Sequence, residues 1–165
     1  MLKTNTLKSY KSKSLCGEIA VAGDKSISIR AVIIASISYG NSKIFGLLES
    51  EDVKNTIRSL RHLGIDIKKK KNYYLVKGCG DVFFKKRKEI YLGNSGTGAR
   101  LMCGLLCSRN INIKIKGDSS LSNRPMRRII EPLEKLGGNF ASNNGNLPIK
   151  IKKSERLLPN TISSY

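Results

Sequence analysis

One internal repeat constrains the fold of this chain more than any other feature. Gly23-Asp24-Lys25-Ser26-Ile27-Ser28-Ile29-Arg30 opens on glycine, closes on arginine and runs into the apolar stretch Ala31-Val32-Ile33-Ile34-Ala35. The same order returns 70 residues on, from Gly93. Gly93-Asn94-Ser95-Gly96-Thr97-Gly98-Ala99-Arg100 runs into Leu101-Met102-Cys103-Gly104-Leu105-Leu106. A second match follows at a spacing of 73: Ile57, Leu60, Leu63 and Gly64 return as Ile130, Leu133, Leu136 and Gly137. Amphipathic helices resemble one another by chance, but two linked matches in one order argue for duplication. A repeat this long exceeds a solenoid unit. With its alternating helix and strand signals it predicts an α/β (α+β) chain built from βαβαββ units.

The element signals place the repeat. Residues 17–21 and 89–92 read as strands feeding the two glycine-rich loops. Residues 26–38 form a helix apolar on most sides, which predicts burial between layers. Gly40-Asn41 ends it, and residues 43–45 read as a strand. Ser50 is the expected N-cap of a helix whose first turn carries Glu51 and Asp52, matching the positive end of the helix dipole. Its apolar stripe is Val53, Ile57 and Leu60, and Gly64 is its natural stop. Residues 65–69 and 73–77 then make a hairpin. In the second unit, residues 96–106 are helical and 111–116 alternate as a strand. Pro125 suits the first turn of a helix carrying Met126, Ile129, Ile130, Leu133 and Leu136, and Pro132 should kink it. A last hairpin turns at Asn143-Asn144-Gly145. The boundaries are residues 1–14 as a frayed N-terminal segment, 15–80 and 81–153 as two units, and 154–165 as the start of a third.

Charge is the one extreme of composition. The 165 residues carry 31 Lys+Arg against 12 Asp+Glu, a net charge of +19. Nucleic-acid binding is the obvious reading. Against it, the charge is scattered, Trp is absent and the only dense runs, Lys68-Lys69-Lys70-Lys71 and Lys85-Lys86-Arg87-Lys88, adjoin expected turns. Nucleic acid is therefore not the expected partner, and a basic nucleic-acid-binding or non-catalytic anion-binding protein on the same fold is kept as the alternative. No apolar run is long enough to span a membrane. Cys16, Cys79, Cys103 and Cys107 lack metal or redox spacing, and Cys103 and Cys107 fall one turn apart on an apolar helix, a core pattern. His62, the single histidine, has no nucleophile or ligand pattern around it. This usage fits a reduced, cytoplasmic setting. The basic, acid-free N-terminus weakly resembles an organelle presequence. It lacks a hydrophobic signal core and runs straight into the first strand signal, so it reads as mature sequence.

Three phrases carry chemistry: the two glycine-led loops and Ser122-Asn123-Arg124-Pro125-Met126. Each joins small or hydroxyl residues to a cation where a loop enters a predicted helix. Free amides at a helix start attract phosphate or carboxylate, and a nearby cation adds charge-assisted hydrogen bonds. Lys25, Ser26 and Arg30 fall on one side of the first helix start. The second loop is not a Walker pattern, because no Lys-Ser/Thr follows at the required distance. Gly96 there permits close approach of a ligand to the backbone. Arg124 precedes proline, which biases it to an extended backbone. Asp24 and Asp118 flank these loops, and a turn-forming role suits both. No Ser-His-Asp set, metal cluster or carboxylate pair is visible.

At these residues the sequence closely resembles the 5-enolpyruvylshikimate-3-phosphate synthases, enolpyruvyl transferases of the shikimate pathway. The match runs in order through Gly23–Ala31, Gly46-Leu47-Leu48-Glu49-Ser50-Glu51-Asp52-Val53, Leu92–Leu101 and Gly117-Asp118-Ser119-Ser120-Leu121-Ser122-Asn123-Arg124-Pro125-Met126. The resemblance implies two domains of three βαβαββ units each. It implies transfer of the enolpyruvyl group of phosphoenolpyruvate to the 5-hydroxyl of shikimate 3-phosphate, with release of phosphate and with no metal or organic cofactor. Lys25, Ser26 and Arg30 would hold shikimate 3-phosphate. Asn94, Gly96, Thr97, Arg100 and Arg124 would surround phosphoenolpyruvate, with Lys25 contacting both substrates. The inhibitor glyphosate would share the phosphoenolpyruvate side, where a methyl on Gly96 would crowd it.

Two departures stand out. Ile29 replaces the His or Asn usual in the family. The length covers somewhat more than a third of a typical member, so the family's Ser-Ala-Gln loop, catalytic Asp and Lys-Glu pair lie beyond Tyr165. No catalytic residue is assigned within the chain. The expectation is an N-terminal part of the enzyme that needs the complementary C-terminal portion as partner and does not turn over substrate alone.

Overall fold

The computed structural model describes residues 6–12, 14–80, 88–109 and 111–154. Residues 1–5, 13, 81–87, 110 and 155–165 are not described, so parts of the N-terminal segment placed at 1–14, most of the charge run at 85–88 and almost all of the tail placed at 154–165 lie outside the described residues.

Asp24 caps the first helix, α1 (Lys25–Ile37), through a hydrogen bond that its carboxylate accepts from the Ile27 amide at 2.7 Å. β1 (Asn41–Phe45) follows, then α2 (Glu51–His62), whose apolar stripe Val53, Ile57 and Leu60 is buried. Gly64, at φ +103°, stops α2: its amide bonds the Arg61 carbonyl while the Ile65 amide bonds that of Leu60. This is the left-handed helix stop that glycine adopts without a Cβ penalty. β2 (Asp66–Lys69) and β3 (Tyr73–Lys77) form the expected hairpin, and β3 lies between β1 and β2, antiparallel to both.

The second stretch is fuller. β4 (Glu89–Tyr91) leads into α3 (Gly96–Cys107), then β5 (Ile113–Lys116), the short helix α4 (Ser119–Ser122), α5 (Arg127–Lys135), β6 (Asn139–Asn143) and β7 (Asn146–Lys152). Its sheet runs β4-β5-β7-β6, with β4 parallel to β5 and the other pairs antiparallel. Asn144 (φ +52°) and Gly145 (φ +79°) make the two-residue hairpin turn, a conformation those residue types favour.

Helices and strands thus mix as the α/β reading expects. One continuous core joins the helices to the inner faces of both sheets, through Ile29, Val32, Leu60, Met102, Leu106, Ile115 and Ile149 among others. Each such fully buried aliphatic side chain is worth roughly 1.5–3 kcal/mol of transfer free energy. Cys103 and Cys107 belong to this core, and burial pushes the Cys103 thiol up to about 12.

Four expectations need correction. Residues 17–21 are not a strand: they form no ladder, and Leu15, Ile19 and Val21 are more than four-fifths exposed. Alternation gives a strand tendency, but a strand exists only where its amides find a partner edge. Among the described residues no strand pairs with the outer edge of β1, the position that β4 takes beside β5 in the other sheet. The first helix is less enclosed than its composition predicts, since Ile27 and Ile34 are about three-fifths exposed. Ser50 holds the N-cap position of α2 but makes no side-chain cap bond. Finally, Pro125 stands before the N-cap Met126 rather than inside the first turn, because the Met126 amide is bonded to the Gly145 carbonyl and helical geometry starts only at Arg127. The helix then continues through Pro132.

Candidate functional site

Two sets of ties fix the three loops: one joins the second loop to the third, the other joins the first loop to the segment after β1. The Asp118 amide donates to the Gly93 carbonyl at 2.9 Å, joining the second loop to the third. Asp118 also caps α4, accepting from the Leu121 amide at 2.7 Å. Both flanking acids, Asp24 and Asp118, are therefore occupied as helix caps, which is the turn-forming role the sequence suggested. Gly23 and Gly46 approach so closely that a Cβ on Gly23 would collide with the Gly46 carbonyl oxygen. Ser28, buried in α1, accepts from the Leu48 amide at 3.0 Å and donates to the Asp24 carbonyl at 2.7 Å. These bonds fix the start of α1 against the segment after β1.

Around the second loop the geometry is sharper. Ser95 caps α3, accepting from the Gly98 amide at 3.2 Å. Asn94 stands at the loop tip, and its side-chain oxygen accepts from Arg124 Nη2 at 2.8 Å. Gly96 lies beneath two guanidinium groups. A methyl there would sit 2.9 Å from Arg124 Nη1 and 3.1 Å from Arg100 Nη1. Two cations thus converge on one point above a glycine at a helix N-terminus, and among the described residues neither forms a salt bridge to an acid. Like charges repel at this range, so the arrangement is suited to an anion that bridges them. Thr97 is half-buried in the first turn of the same helix.

In the first loop the expected residues are arranged differently. Lys25 Nζ pairs with Asp52 Oδ2 at 3.1 Å. Ser26 is half-buried beside it, and Arg30 is exposed with no ion-pair partner among the described residues. Asp52 was missed by sequence reasoning except as a helix-dipole acid. The signal that could have found it is its place in the first turn of α2, four residues after Leu48, whose amide bonds Ser28 of α1. The other missed tie is Asn55, against which a Cβ on Gly93 would clash.

Other candidates fall away from the loops. His62 ends α2 and lines an open cleft of about 440 Å³ with Asn55, Arg58, Ser59, Glu89 and Tyr91. Lys68 and Lys69 lie within β2 and pair with Asp66 and Glu49. Among the described residues no three His, Cys, Asp or Glu side chains are grouped as metal ligands, and no helix is long and apolar enough to cross a membrane.

Comparison with known proteins places this geometry. The family model for EPSP synthase (3-phosphoshikimate 1-carboxyvinyltransferase) matches residues 9–163. The 3-phosphoshikimate 1-carboxyvinyltransferase of Endomicrobium trichonymphae is 43% identical over 149 residues, covering 88% of this chain and 35% of the relative. That of Bartonella henselae is 40% identical over 153 residues, covering 92% of this chain and again 35% of the relative. The solved EPSP synthase from Acinetobacter baumannii superposes with a TM-score of 0.79 at 34% identity, over 86% of this chain and 33% of that one. The chain spans about a third of the length of the relatives it matches.

Proposed function

The chain belongs to the EPSP synthase family, and from that premise we propose that it forms the substrate-holding part of an enolpyruvyl transferase acting on phosphoenolpyruvate and shikimate 3-phosphate. In the reaction the bond between C2 of phosphoenolpyruvate and its phosphate-bearing oxygen breaks, the 5-hydroxyl oxygen of shikimate 3-phosphate bonds to C2, and inorganic phosphate leaves with the hydroxyl proton in the net balance. Arg100 and Arg124 hold the phosphoenolpyruvate side over Gly96, with Asn94 orienting Arg124 and Thr97 beside the helix start. Lys25, Ser26 and Arg30 hold shikimate 3-phosphate, and Lys25 reaches both ligands. The observation that carries this reading is the pair of guanidinium groups converging on Gly96.

Residues 15–80 and 81–153 are, in this reading, two repeats of one unit, and 154–165 begins a third. The complementary portion of the enzyme is the expected partner and supplies the groups that move protons; the reaction is placed in the cytoplasm, in keeping with four free cysteines. Titration calorimetry of the chain tests the binding half. Shikimate 3-phosphate should bind, and the Arg30→Ala variant should bind it about tenfold more weakly. Absence of heat with both substrates would overturn the assignment. The catalytic half is tested by phosphate release from phosphoenolpyruvate: none is expected from the chain alone, and steady turnover would refute the need for a partner.

A further inference from the structure

α2 is the element that touches both binding loops. In its first turn, Asp52 reaches across to Lys25 of the first loop at 3.1 Å. One turn on, Thr56 donates to the Asp52 carbonyl at 2.9 Å. Its hydroxyl also fills the space beside Gly98, 2.8 Å from where a Cβ on that glycine would lie. Asn55, on the next turn face, fills the space beside Gly93. Glu51, the other acid of the first turn, is turned away from the loops and pairs instead with Lys54 and Arg58. The two acids of one turn are therefore divided between two tasks. Glu51 is mostly exposed and serves α2 itself. Asp52 keeps 21% of its side-chain surface exposed and serves a residue 27 positions earlier in the chain.

We propose that Asp52 is a positioning residue for Lys25, fixing the ammonium between the two loops before ligand arrives. The inference rests on the substrate reading above and adds to it a residue that never needs to touch substrate. The physical reason is entropic. Lysine is a point charge on a flexible four-carbon stem, so an unheld ammonium loses rotamer freedom when it binds an anion. A carboxylate anchored on a helix that also packs against the second loop removes much of that loss in advance. The same carboxylate opposes an incoming anion by its charge. At a half-exposed site that repulsion is screened, and the ordering effect wins.

A double-mutant cycle on the 165-residue chain decides this. Shikimate 3-phosphate affinity, read by calorimetry, should fall about tenfold in Asp52→Asn and recover most of that in Asp52→Glu. In the Lys25→Ala background, Asp52→Asn should change affinity less than twofold, because a residue acting through Lys25 has nothing left to position. An equal loss in both backgrounds would make Asp52 a purely structural group, and tighter binding in Asp52→Asn would make it a competitor of the ligand; either outcome overturns the proposal. A ligand-free readout separates this from the substrate reading. With limiting acetic anhydride and mass spectrometry, acetylation of Lys25 relative to the remote Lys150 should rise several-fold in Asp52→Asn. A ratio that does not move overturns the pairing itself. Absence of shikimate 3-phosphate binding by the unmodified chain overturns the substrate reading instead.

Discussion

The two glycine-led loops share a plan and use it differently. In the first, Asp24 occupies the helix start, Lys25 carries its own counter-ion in Asp52, and Arg30 is exposed with no ion pair among the described residues. In the second, the cap is the neutral Ser95, and two arginines meet over Gly96 without an acid between them. One loop thus has its charge balanced and the other has its charge concentrated. Concentrated charge persists only where the scaffold holds it. Here Asn94 holds Arg124, and the Asp118–Gly93 backbone bond holds the second loop to the third, which carries Arg124. The lesson is that the second loop is built for anion affinity and the first for placement.

The strongest test of that contrast is to remove one arginine from the site around each loop. Arg124→Ala deletes half of the converging pair, and phosphoenolpyruvate affinity should fall about 100-fold, as a charge-assisted bond worth about 3 kcal/mol implies. Arg30→Ala removes a free cation and should cost only about tenfold on shikimate 3-phosphate. Calorimetry on both variants checks it. An Arg30 loss equal to that of Arg124 would erase the distinction.

The glycines sharpen it. A methyl on Gly23 meets the backbone oxygen of Gly46, which cannot swing aside, whereas a methyl on Gly96 meets the tips of two flexible side chains. Gly23→Ala should therefore destabilise the fold by about 2 kcal/mol, the usual cost of overpacking, as read from urea unfolding. Gly96→Ala should unfold within about 0.5 kcal/mol of the parent, because the guanidinium tips it meets can move aside although the glycine itself is buried. It should still weaken phosphoenolpyruvate binding about tenfold, by displacing both guanidinium groups. If Gly96→Ala unfolds as easily as Gly23→Ala, the second loop is packed rather than open to a ligand.

The caps probe the same pair at smaller scale. Asp24→Ala and Ser95→Ala each remove one helix-start acceptor and should each cost about 1 kcal/mol, seen as a fall in thermal midpoint of a few degrees. They should part in binding. Asp24→Ala also removes a negative charge beside the first loop and should leave shikimate 3-phosphate affinity equal or higher. Ser95→Ala loosens the loop that bears Gly96 and should lower phosphoenolpyruvate affinity.

Local features of this molecule were legible in the sequence and tertiary ones were not. The start of α1, expected at residue 26 and found at Lys25, the Gly64 stop, the Asn144-Gly145 turn and the buried Val53-Ile57-Leu60 stripe all follow from residues within a few positions of one another. The strand expected at 17–21 failed because strand formation is settled by a partner edge, which alternation cannot supply. The short helix α4 escaped notice because four residues carry no periodicity, and its cap Asp118 read only as a turn former. Arg100, Arg124 and Gly96 were each identified singly, by resemblance and residue type. That the two guanidinium groups meet over the glycine depends on the Asp118–Gly93 bond, and the Lys25–Asp52 pair depends on how α1 packs on α2. Neither has a signature in spacing.

The smallest effect lies at the edge of the first loop's support. Glu49, three residues before Asp52, accepts from Lys69 Nζ at 2.8 Å and from the Tyr74 hydroxyl at 2.9 Å, tying the segment after β1 to β2 and β3. These two hydrogen bonds, the Lys69 bond foremost, hold its carboxyl below the usual glutamate range. A carboxylate with a depressed pKa stabilises the folded state above its unfolded value, and that contribution is lost as pH falls through the folded value. The difference in urea midpoint between the parent and Glu49→Gln should therefore be constant at neutral pH and shrink below about pH 4. It should also shrink with added salt, because the pair is exposed. Among the described residues the second loop's own side-chain tie is Asn94, and the comparable acid pair there, Glu89 with Lys116, joins β4 to β5 rather than holding the loop itself. The acid-induced loss traceable to Glu49 should therefore fall on shikimate 3-phosphate binding and spare phosphoenolpyruvate. Equal acid sensitivity of both affinities in the parent, unchanged in Glu49→Gln, would mean that the two loops respond as one and that their different supports carry no separate energetic weight.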